Sequence, residues 1–184
     1  MIYKLLTPTD PRVLSSIAPF DKEEFKKEEK IEIKEFTDNM FETMKKYGGI
    51  GLSANQVGKP YRMFVMGDNE NIEKGKKWVC INPEITDMSK DLIRYKEGCL
   101  TFPFLFLDIE RPQKIRVKYL DENLETKEEE MDGIVSRCYQ HELDHMQGKV
   151  FTDLVSKLKL DMALKKRDKE IKRISKLYAK KKNT

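Results

Sequence analysis

The residues of this chain best suited to chemistry are two histidines with a glutamate between them. His141, Glu142 and His145 form a His-Glu-x-x-His pattern, and the 184-residue chain contains no other histidine. On a helix, side chains four residues apart leave the same face, so both imidazoles can bind one metal ion while Glu142 acts as a general base. The alternative, two histidines buried in a structural core, gives no reason for Glu142 to lie between them.

A catalytic metal site needs a third protein ligand in addition to His141 and His145, and an open position. In zincin-like proteases that ligand lies downstream, but here no histidine follows His145. Upstream, Cys99 lies at a predicted strand edge or turn, where a thiolate would bind a late first-row divalent ion strongly. Taken alone, a cysteine such as Cys99 is more often an inert buried thiol than a ligand, so the residues leave the third ligand open.

The helix that carries the histidines is predicted over 134–146, with Gly148 as its C-terminal stop. Ile134, Cys138, His141 and His145 follow one another at intervals of four, three and four, so they share one face, which must point inward. Cys138 could be a ligand, but a third ligand from the same helix would strain the geometry. We interpret Cys138 as pocket wall or core.

The other periodic stretches predict one further helix and four strands. An apolar residue recurs at intervals of three and four over 31–46, which predicts a helix ending at Gly48 and Gly49. Its apolar residues are Ile33, Phe36, Met40 and Met44. Strands are predicted over 61–66, 78–85, 114–120 and 124–131. Asn82-Pro83 should end or kink the second strand. Residues 1–20 should be extended and irregular, and 21–30 an exposed helix start or loop.

Glycines and small residues dominate the stretch from Gly49 to Gln56. They allow a ligand or another chain segment to approach the backbone closely. The stretch lacks the Gly-Lys-Ser/Thr ending of a phosphate loop. It is therefore a candidate for lining a site, though a weak one by itself.

Composition indicates a cytoplasmic protein that does not cross a membrane. No apolar run approaches the ~18 residues that a membrane helix needs, and the N-terminus lacks the features of a secretory signal. The three cysteines, Cys80, Cys99 and Cys138, are an odd and sparse set, which favours a reducing compartment over a disulfide framework.

The C-terminal tail is strongly basic. From Lys157 onward, twelve Lys or Arg and three Asp or Glu give +9, and since the whole chain carries +4, the preceding residues carry −5. Such a tail favours a polyanionic partner, with nucleic acid the obvious candidate. A solvated amphipathic helix that its lysines keep soluble would have the same charge pattern. From Leu154 onward we expect one long helix with a patchy apolar stripe: Val155, Leu158, Met162, Ile171, Ile174 and Tyr178.

Three separated stretches together resemble the signature motifs of the peptide deformylase family, in order and at similar spacing. They are Gly49-Ile50-Gly51-Leu52-Ser53-Ala54-Asn55-Gln56, Glu97-Gly98-Cys99-Leu100-Thr101 and Gln140-His141-Glu142-Leu143-Asp144-His145. Each motif alone is modest, but the combination is highly specific, and the likeness extends over about 5–154. The resemblance implies a hydrolase that removes the N-terminal formyl group from nascent polypeptides beginning with formyl-methionine, and releases formate.

The resemblance also implies a role for each matched residue. It makes Cys99, His141 and His145 the metal ligands and Glu142 the general acid/base. It makes Gln56 and the backbone N–H of Leu100 the groups that stabilise the oxyanion. The chemistry is consistent, because a metal-bound water becomes a nucleophile near neutral pH, and Glu142 can take its proton and return it to the departing amine.

The resemblance implies one divalent metal ion, Fe²⁺, often replaced in preparations by Ni²⁺, Co²⁺ or Zn²⁺. The ligand types themselves accept several of these ions. Ile50, Gly51 and Gly98 should lie where an extended peptide adds to a sheet edge. Cys138 and His141 should help form the cavity for the methionine side chain. Asp144 and Arg111 are interpreted as partners that orient the site, although either could be an ordinary surface charge.

Three positions depart from the common family pattern. Ser53 stands where the family usually has alanine, and Thr101 where it usually has serine; both are small. After Pro103, the apolar residues Phe104-Leu105-Phe106 replace a glycine, a polar residue or an arginine. This apolar segment puts the usual contacts to the peptide backbone in doubt.

We predict an α+β fold with antiparallel β-sheets packed around the central metal-binding helix, plus an N-terminal and a C-terminal helix. The chain should form one deformylase domain over 1–184, in which 154–184 is a basic helical extension that docks at the ribosome, as in bacterial members. A monomer is expected. Two other classes remain: a zincin-like endopeptidase, which would not need Cys99, and a metal-stabilised RNA-binding protein, which would not need Glu142.

Overall fold

The computed structural model describes residues 1–182, with side chains described through Leu177. The helices are α1 (Lys22–Glu29), α2 (Ile33–Lys46), α3 (Gly133–Met146) and α4 (Lys157–Lys182). The strands are β1 (Gly51–Ser53), β2 (Met63–Gly67), β3 (Lys77–Met88), β4 (Leu92–Cys99), β5 (Phe102–Pro112), β6 (Lys114–Leu120) and β7 (Thr126–Asp132). Two short 3₁₀ helices span Ala54–Val57 and Phe151–Leu154.

The strands form two antiparallel sheets. The larger has the order β1-β2-β3-β6-β7, and the smaller consists of β4 and β5 alone. Helix α3 contacts strands of both sheets, including β1, β2, β7 and β5. The predicted α+β architecture, with antiparallel sheets around the histidine-bearing helix, is confirmed.

The core lies on both faces of the larger sheet. The predicted apolar face of α2 is buried and packs with Leu52, Val65 and Val79 of the sheet. On α3, Tyr139, Leu143 and Met146 pack against a second set of sheet residues that includes Phe64 and Val117. This packing fixes α3 against the sheet, and so fixes the face that carries the histidines.

Several element predictions are confirmed, and one is refined. Helices α2 and α3 and strands β2, β6 and β7 lie within about two residues of their predicted positions. Strand β3 kinks at Asn82-Pro83 rather than ending there. Asn82 has a φ of 49° and the pairing register shifts between Ile81 and Glu84, so Pro83, which has no N–H, falls in an irregularity of the ladder.

The prediction missed the pairing of β4 with β5, although it placed Cys99 near a strand edge. Leu92, Ile93 and Tyr95 of β4 are exposed, so their apolar character does not follow a buried face. In β5, every second residue from Leu105 to Arg111 is buried, an alternation hidden by the exposed Phe104 and Phe106 beside it.

The predicted tail helix exists but differs in its start and its packed face. It begins at Lys157, after the 3₁₀ helix at Phe151–Leu154. Of the predicted stripe, Val155 packs in the cluster on β5, whereas Leu158 and Met162 are exposed. Leu160, Ala163 and Leu164 pack in that cluster instead. The side chain of Tyr178 and residues 183–184 lie outside the described part. Among residues 1–182, no helix is long and apolar enough to cross a membrane.

Candidate active site

Helix α3 places the two histidines in the interior. It begins at Gly133, whose φ of 56° turns the chain out of β7, and it contains no proline. Ten of its fourteen residues are buried, including both histidines and Glu142. A helix with charged and polar side chains in its buried face needs specific partners for them, and these are found in the β4–β5 hairpin.

The last residue of β4, Cys99, meets the two histidines. One ligand atom from each of Cys99, His141 and His145 lies within 4.8 Å of the other two. The Cys99 Sγ is 3.3 Å from Nε2 of His145. Two imidazole nitrogens and a thiolate, convergent and largely buried, are a donor set suited to a late first-row divalent ion with a remaining open position. The residues present therefore fit one metal ion.

A buried charge network lies behind His141. The Nδ1 atom of His141 is 3.1 Å from Glu97 Oε2. Arg111 donates two hydrogen bonds to the Glu97 carboxylate, at 2.7 and 3.0 Å, and Arg137 donates a third at 2.5 Å. Arg111 also donates to Asp144 at 2.8 Å. A partner on Nδ1 fixes the orientation of the ring and leaves Nε2 for a metal.

These partners keep Glu97 ionised. Burial alone would raise the pKa of Glu97, but the hydrogen bonds from His141 and Arg111 lower it to about 2. Glu97 and Arg137 were missed as site residues in the sequence. The signal for Arg137 is its spacing, since it lies four residues before His141 and so on the same face of α3. The signal for Glu97 is its position as the first residue of the cysteine motif.

The pKa values of the two buried histidines are shifted in opposite directions. Burial would lower the pKa of His141, but hydrogen bonds with Cys99 and Glu97 raise it instead. Burial and the neighbouring His141 lower the pKa of His145, which favours the neutral imidazole that binds a metal.

Glu142 is the most isolated acid of the site. Burial raises the pKa of this carboxyl to about 7, against the lowering effect of His141 and of the neighbouring Ser53 hydroxyl. Within the described part of the chain, its Oε2 atom has no hydrogen-bond partner. A Cβ at Gly51 would lie 2.5 Å from Glu142 Oε1 and 2.7 Å from Cys138 Sγ, so Gly51 gives these side chains their space. A carboxyl with this pKa can both accept and return a proton near neutrality.

Gln56 approaches the ligands from the 3₁₀ helix that follows β1. Its Nε2 atom donates to Thr101 Oγ1 at 3.1 Å and lies 3.4 Å from Cys99 Sγ. Its Oε1 atom accepts hydrogen bonds from Ser53, at 2.9 Å from the backbone nitrogen and 3.0 Å from the hydroxyl. Leu100 lies in the turn between β4 and β5. Both residues reach the cavity described next.

A cavity of about 480 Å³ opens onto these side chains. Nine of the predicted site residues line it: Ile50, Gly51, Gln56, Gly98, Cys99, Leu100, Cys138, His141 and Glu142. The other three, Arg111, Asp144 and His145, are not among the lining residues. The structure thus brings together residues from β1, the 3₁₀ helix, β4 and α3 that are far apart in the sequence.

The walls and the rim of the cavity differ in chemistry. Gly51 belongs to β1, an edge strand of the larger sheet, and Gly98 to β4 of the two-stranded sheet. Among the described residues, the cavity therefore lies between two strands that each have one edge without a paired strand. The rim carries Tyr47, Phe104 and Phe106, which are 43%, 57% and 59% exposed. The Phe106 ring covers Gly98, where an added Cβ would lie 2.8 Å from it.

The fold and the site define a class of protein, an α+β hydrolase with a site suited to one divalent metal ion. A model of the family described as polypeptide deformylase matches residues 2–161. The chain belongs to this family, whose members are metal-dependent hydrolases that remove the N-terminal formyl group from nascent polypeptides. The family and enzyme predictions are therefore confirmed.

Individual relatives agree over most of the chain. A peptide deformylase from Erythrobacter litoralis is 38% identical over 188 residues, which covers 90% of this chain and 95% of the relative. The crystal structure of peptide deformylase from Thermotoga maritima superposes with a TM-score of 0.75 at 36% identity, over 85% of this chain and 99% of that one. That from Ehrlichia chaffeensis in complex with actinonin gives 0.77 at 38% identity, over 92% and 97%.

Proposed function

We propose that this protein hydrolyses the formamide bond of formyl-methionyl peptides with one divalent ion bound by Cys99, His141 and His145. The observation that carries the proposal is the convergence of these three ligand atoms beside a buried glutamate in one cavity. The two alternatives from the sequence were a zincin-like endopeptidase and a non-enzymatic, metal-stabilised RNA-binding protein. Both lose their support with the family assignment.

When bound, the ion supplies Lewis acidity, which lowers the pKa of water toward neutrality and polarises the formyl carbonyl. Glu142 accepts the proton that water loses as its oxygen adds to the formyl carbon. It then returns this proton to the amine nitrogen as the C–N bond breaks, so formic acid and the free amine leave and Glu142 is restored. The formic acid then gives up its remaining proton to become formate. Burial, which raises the pKa of the Glu142 carboxyl, favours its holding the proton between the two steps.

Gln56 and the backbone N–H of Leu100 stabilise the negative charge that develops on the formyl oxygen. Donors act best when they are oriented before the reaction, because no reorganisation is then needed in the transition state. Support for this role comes from Gln56, which is buried and bonded at both ends of its carboxamide.

Ile50, Gly51 and Gly98 bind the peptide backbone, and Cys138 and His141 contact the methionine side chain. Support comes from the position of all five in the cavity wall, between the edges of β1 and β4. The rim residues Phe104 and Phe106 present apolar surface to the peptide beyond the methionine.

The physiological ion is Fe²⁺ by family resemblance, and the ligand set also accepts Ni²⁺, Co²⁺ and Zn²⁺. A ferrous ion next to a thiolate is open to oxidation. The protein purified in air with iron should therefore lose activity, whereas the Ni²⁺ form should keep it.

The test is formate release from formyl-Met-Ala-Ser by anaerobically purified protein with its bound metal quantified. We expect formate from this peptide, and much slower release of acetate from acetyl-Met-Ala-Ser, on the hypothesis that the space beside the ligands admits formyl and disfavours bulkier acyl groups. Fully metallated protein that releases no formate would refute the proposal. Equal turnover of the two peptides would refute the selectivity for formyl.

We further propose that α4 binds the ribosome. Its exposed Lys and Arg side chains extend well beyond the part that packs on β5. Removing 165–184 leaves the packed residues Leu160, Ala163 and Leu164 in place. The truncated protein should bind ribosomes more weakly at low salt but hydrolyse free peptides at the full rate; unchanged ribosome affinity would exclude the role.

A further inference from the structure

The carboxamide of Gln56 is bonded at both ends by residues of two different segments. Ser53, at the end of β1, donates its backbone N–H and its hydroxyl to Gln56 Oε1 at 2.9 and 3.0 Å. Thr101, in the β4–β5 turn, accepts from Gln56 Nε2 at 3.1 Å. Ser53, Gln56 and Thr101 are all almost fully buried, at 0%, 1% and 2% exposure. Water therefore does not compete for these hydrogen bonds.

These contacts determine which end of the carboxamide faces the metal ligands. With Oε1 on the two Ser53 donors, the NH₂ group donates one N–H to Thr101 Oγ1 and the other towards Cys99 Sγ, 3.4 Å away, on the side of the metal ligands. If the carboxamide turned over, its NH₂ group would face the backbone N–H of Ser53, and two donors would oppose each other in a buried place. The donors of Ser53 thus select the orientation in which Gln56 can donate to a reacting oxygen.

We propose that Ser53, together with Thr101, is a positioning residue that holds Gln56 ready to donate to the developing oxyanion. The inference rests on the proposed function of Gln56. A Ser53→Ala substitution would remove only the hydroxyl donor, because the backbone N–H of residue 53 would remain. The side chain therefore contributes one of the two hydrogen bonds to Gln56 Oε1. It acts through Gln56 and does not itself contact the reacting atoms.

Two other roles for the Ser53 hydroxyl must be separated from this one. Ser53 precedes the 3₁₀ helix Ala54–Val57, so its hydroxyl could serve local structure alone. The hydroxyl also lies within hydrogen-bonding reach of the Glu142 carboxyl. Because it has one proton, it can donate to Gln56 or to Glu142 but not to both at once, so it could act on the general acid/base instead. A local structural role would change thermal stability and leave kcat as it was. A role through Glu142 would change kcat whether or not Gln56 is present.

The experiment is a double-mutant cycle on formate release by the metallated full-length protein. Ser53→Ala should lower kcat about three- to tenfold, the range of one neutral hydrogen bond, with KM unchanged. In a Gln56→Met background, Ser53→Ala should lower kcat no further, because its target is gone. Gln56→Glu is a second background, since it keeps acceptors for Ser53 and lacks the N–H donor.

Ser136→Ala is the matched control. Ser136 is also fully buried and its hydroxyl also contacts a glutamine, Gln140, whose Nε2 lies 2.9 Å away. It does not line the cavity, so its substitution should leave kcat unchanged. Thr101→Val, compared with Thr37→Val at another buried hydroxyl, should repeat the result of Ser53→Ala from the other end of the carboxamide.

The outcomes are distinct. A Ser53→Ala variant with wild-type kcat would overturn the inference. So would a loss of kcat on Ser53→Ala substitution that is as large in the Gln56→Met background as in the unsubstituted protein. Thermal unfolding checks that each variant is folded. Ser53→Ala should fold, because the backbone N–H of residue 53 still donates a hydrogen bond to Gln56 Oε1. If the unsubstituted metallated protein releases no formate, the proposed function fails, and that failure is visible before any variant is compared.

Discussion

Helices α3 and α4 both carry side chains on which a proposed function depends, but in opposite environments. Ten of the fourteen α3 residues are buried. None of the α4 side chains described through Leu177 is buried. On α3, Arg137, His141 and Asp144 have partners from the β4–β5 hairpin. On α4, the side-chain hydrogen bonds of Arg167 and Arg173 go to acids one and three residues away.

This difference indicates two kinds of function. A buried side chain with several fixed partners can act on one atom of a substrate, because its position and protonation are determined by the fold. Exposed lysines on a long helix contribute mainly their summed charge, which is screened by salt. Substitutions on α3 should therefore be severe and specific to each residue, and those on α4 small and additive.

The largest effect is expected for Glu142→Gln. This change keeps the size of the side chain and removes its ability to accept a proton, so kcat for formate release should fall by about 10³-fold. Bound metal should remain at the wild-type level, because Glu142 is not a proposed ligand. The control is Glu110→Gln on β5, an exposed acid paired with Arg94, which should be fully active. Substantial activity in Glu142→Gln would exclude the acid/base role.

The next effect concerns stability. Arg137→Met removes donors to the buried Glu97 carboxylate, to the buried carbonyl of Ile109 and to the part-buried carbonyl of Ile93. Leaving buried charge and carbonyls without these partners should lower the free energy of unfolding by about 3 kcal/mol. Arg94→Met, which breaks an exposed pair with Glu110, should cost less than about 1 kcal/mol. Urea unfolding at fixed metal content measures both, and equal losses would remove the contrast between buried and exposed charges.

The smallest effects are expected on α4. Changing three of its exposed lysines to glutamine should flatten the salt dependence of ribosome binding and leave kcat on free peptides unchanged. The positions are Lys165, Lys166 and Lys169. The matched control changes three exposed lysines of α1: Lys22, Lys26 and Lys27. If both triple variants bind ribosomes alike, the contribution of α4 is only that of net charge.

The sequence predicted the elements whose buried faces follow a simple period. Helix α2 and strand β6 have one apolar face and one polar face, so their bounds could be read directly. Strands β4 and β5 could not be paired in this way, because apolar residues such as Tyr95 and Phe106 lie on their exposed side. The prediction for α4 failed at its packed face because Leu158 and Met162 are equally apolar but exposed.

At the site, the sequence supplied residue types and spacing within one segment, but not partners between segments. His141 and His145 could be placed on one face from their spacing alone, and the third ligand was chosen through a family resemblance. That Glu97 contacts His141, or that Thr101 contacts Gln56, depends on how the hairpin folds over α3. Such contacts have no local period and appear only in three dimensions.

The central claim, that Cys99 completes the ligand set with His141 and His145, is tested most directly by the absorption spectrum of the Co²⁺ form. A thiolate ligand gives a charge-transfer band that imidazole and water do not give. We predict this band, with one Co²⁺ bound, in the unsubstituted protein, in Glu142→Gln and in Cys138→Ser, and its loss in Cys99→Ser. A band that persists in Cys99→Ser and disappears in Cys138→Ser would contradict the account and place the thiolate ligand on α3.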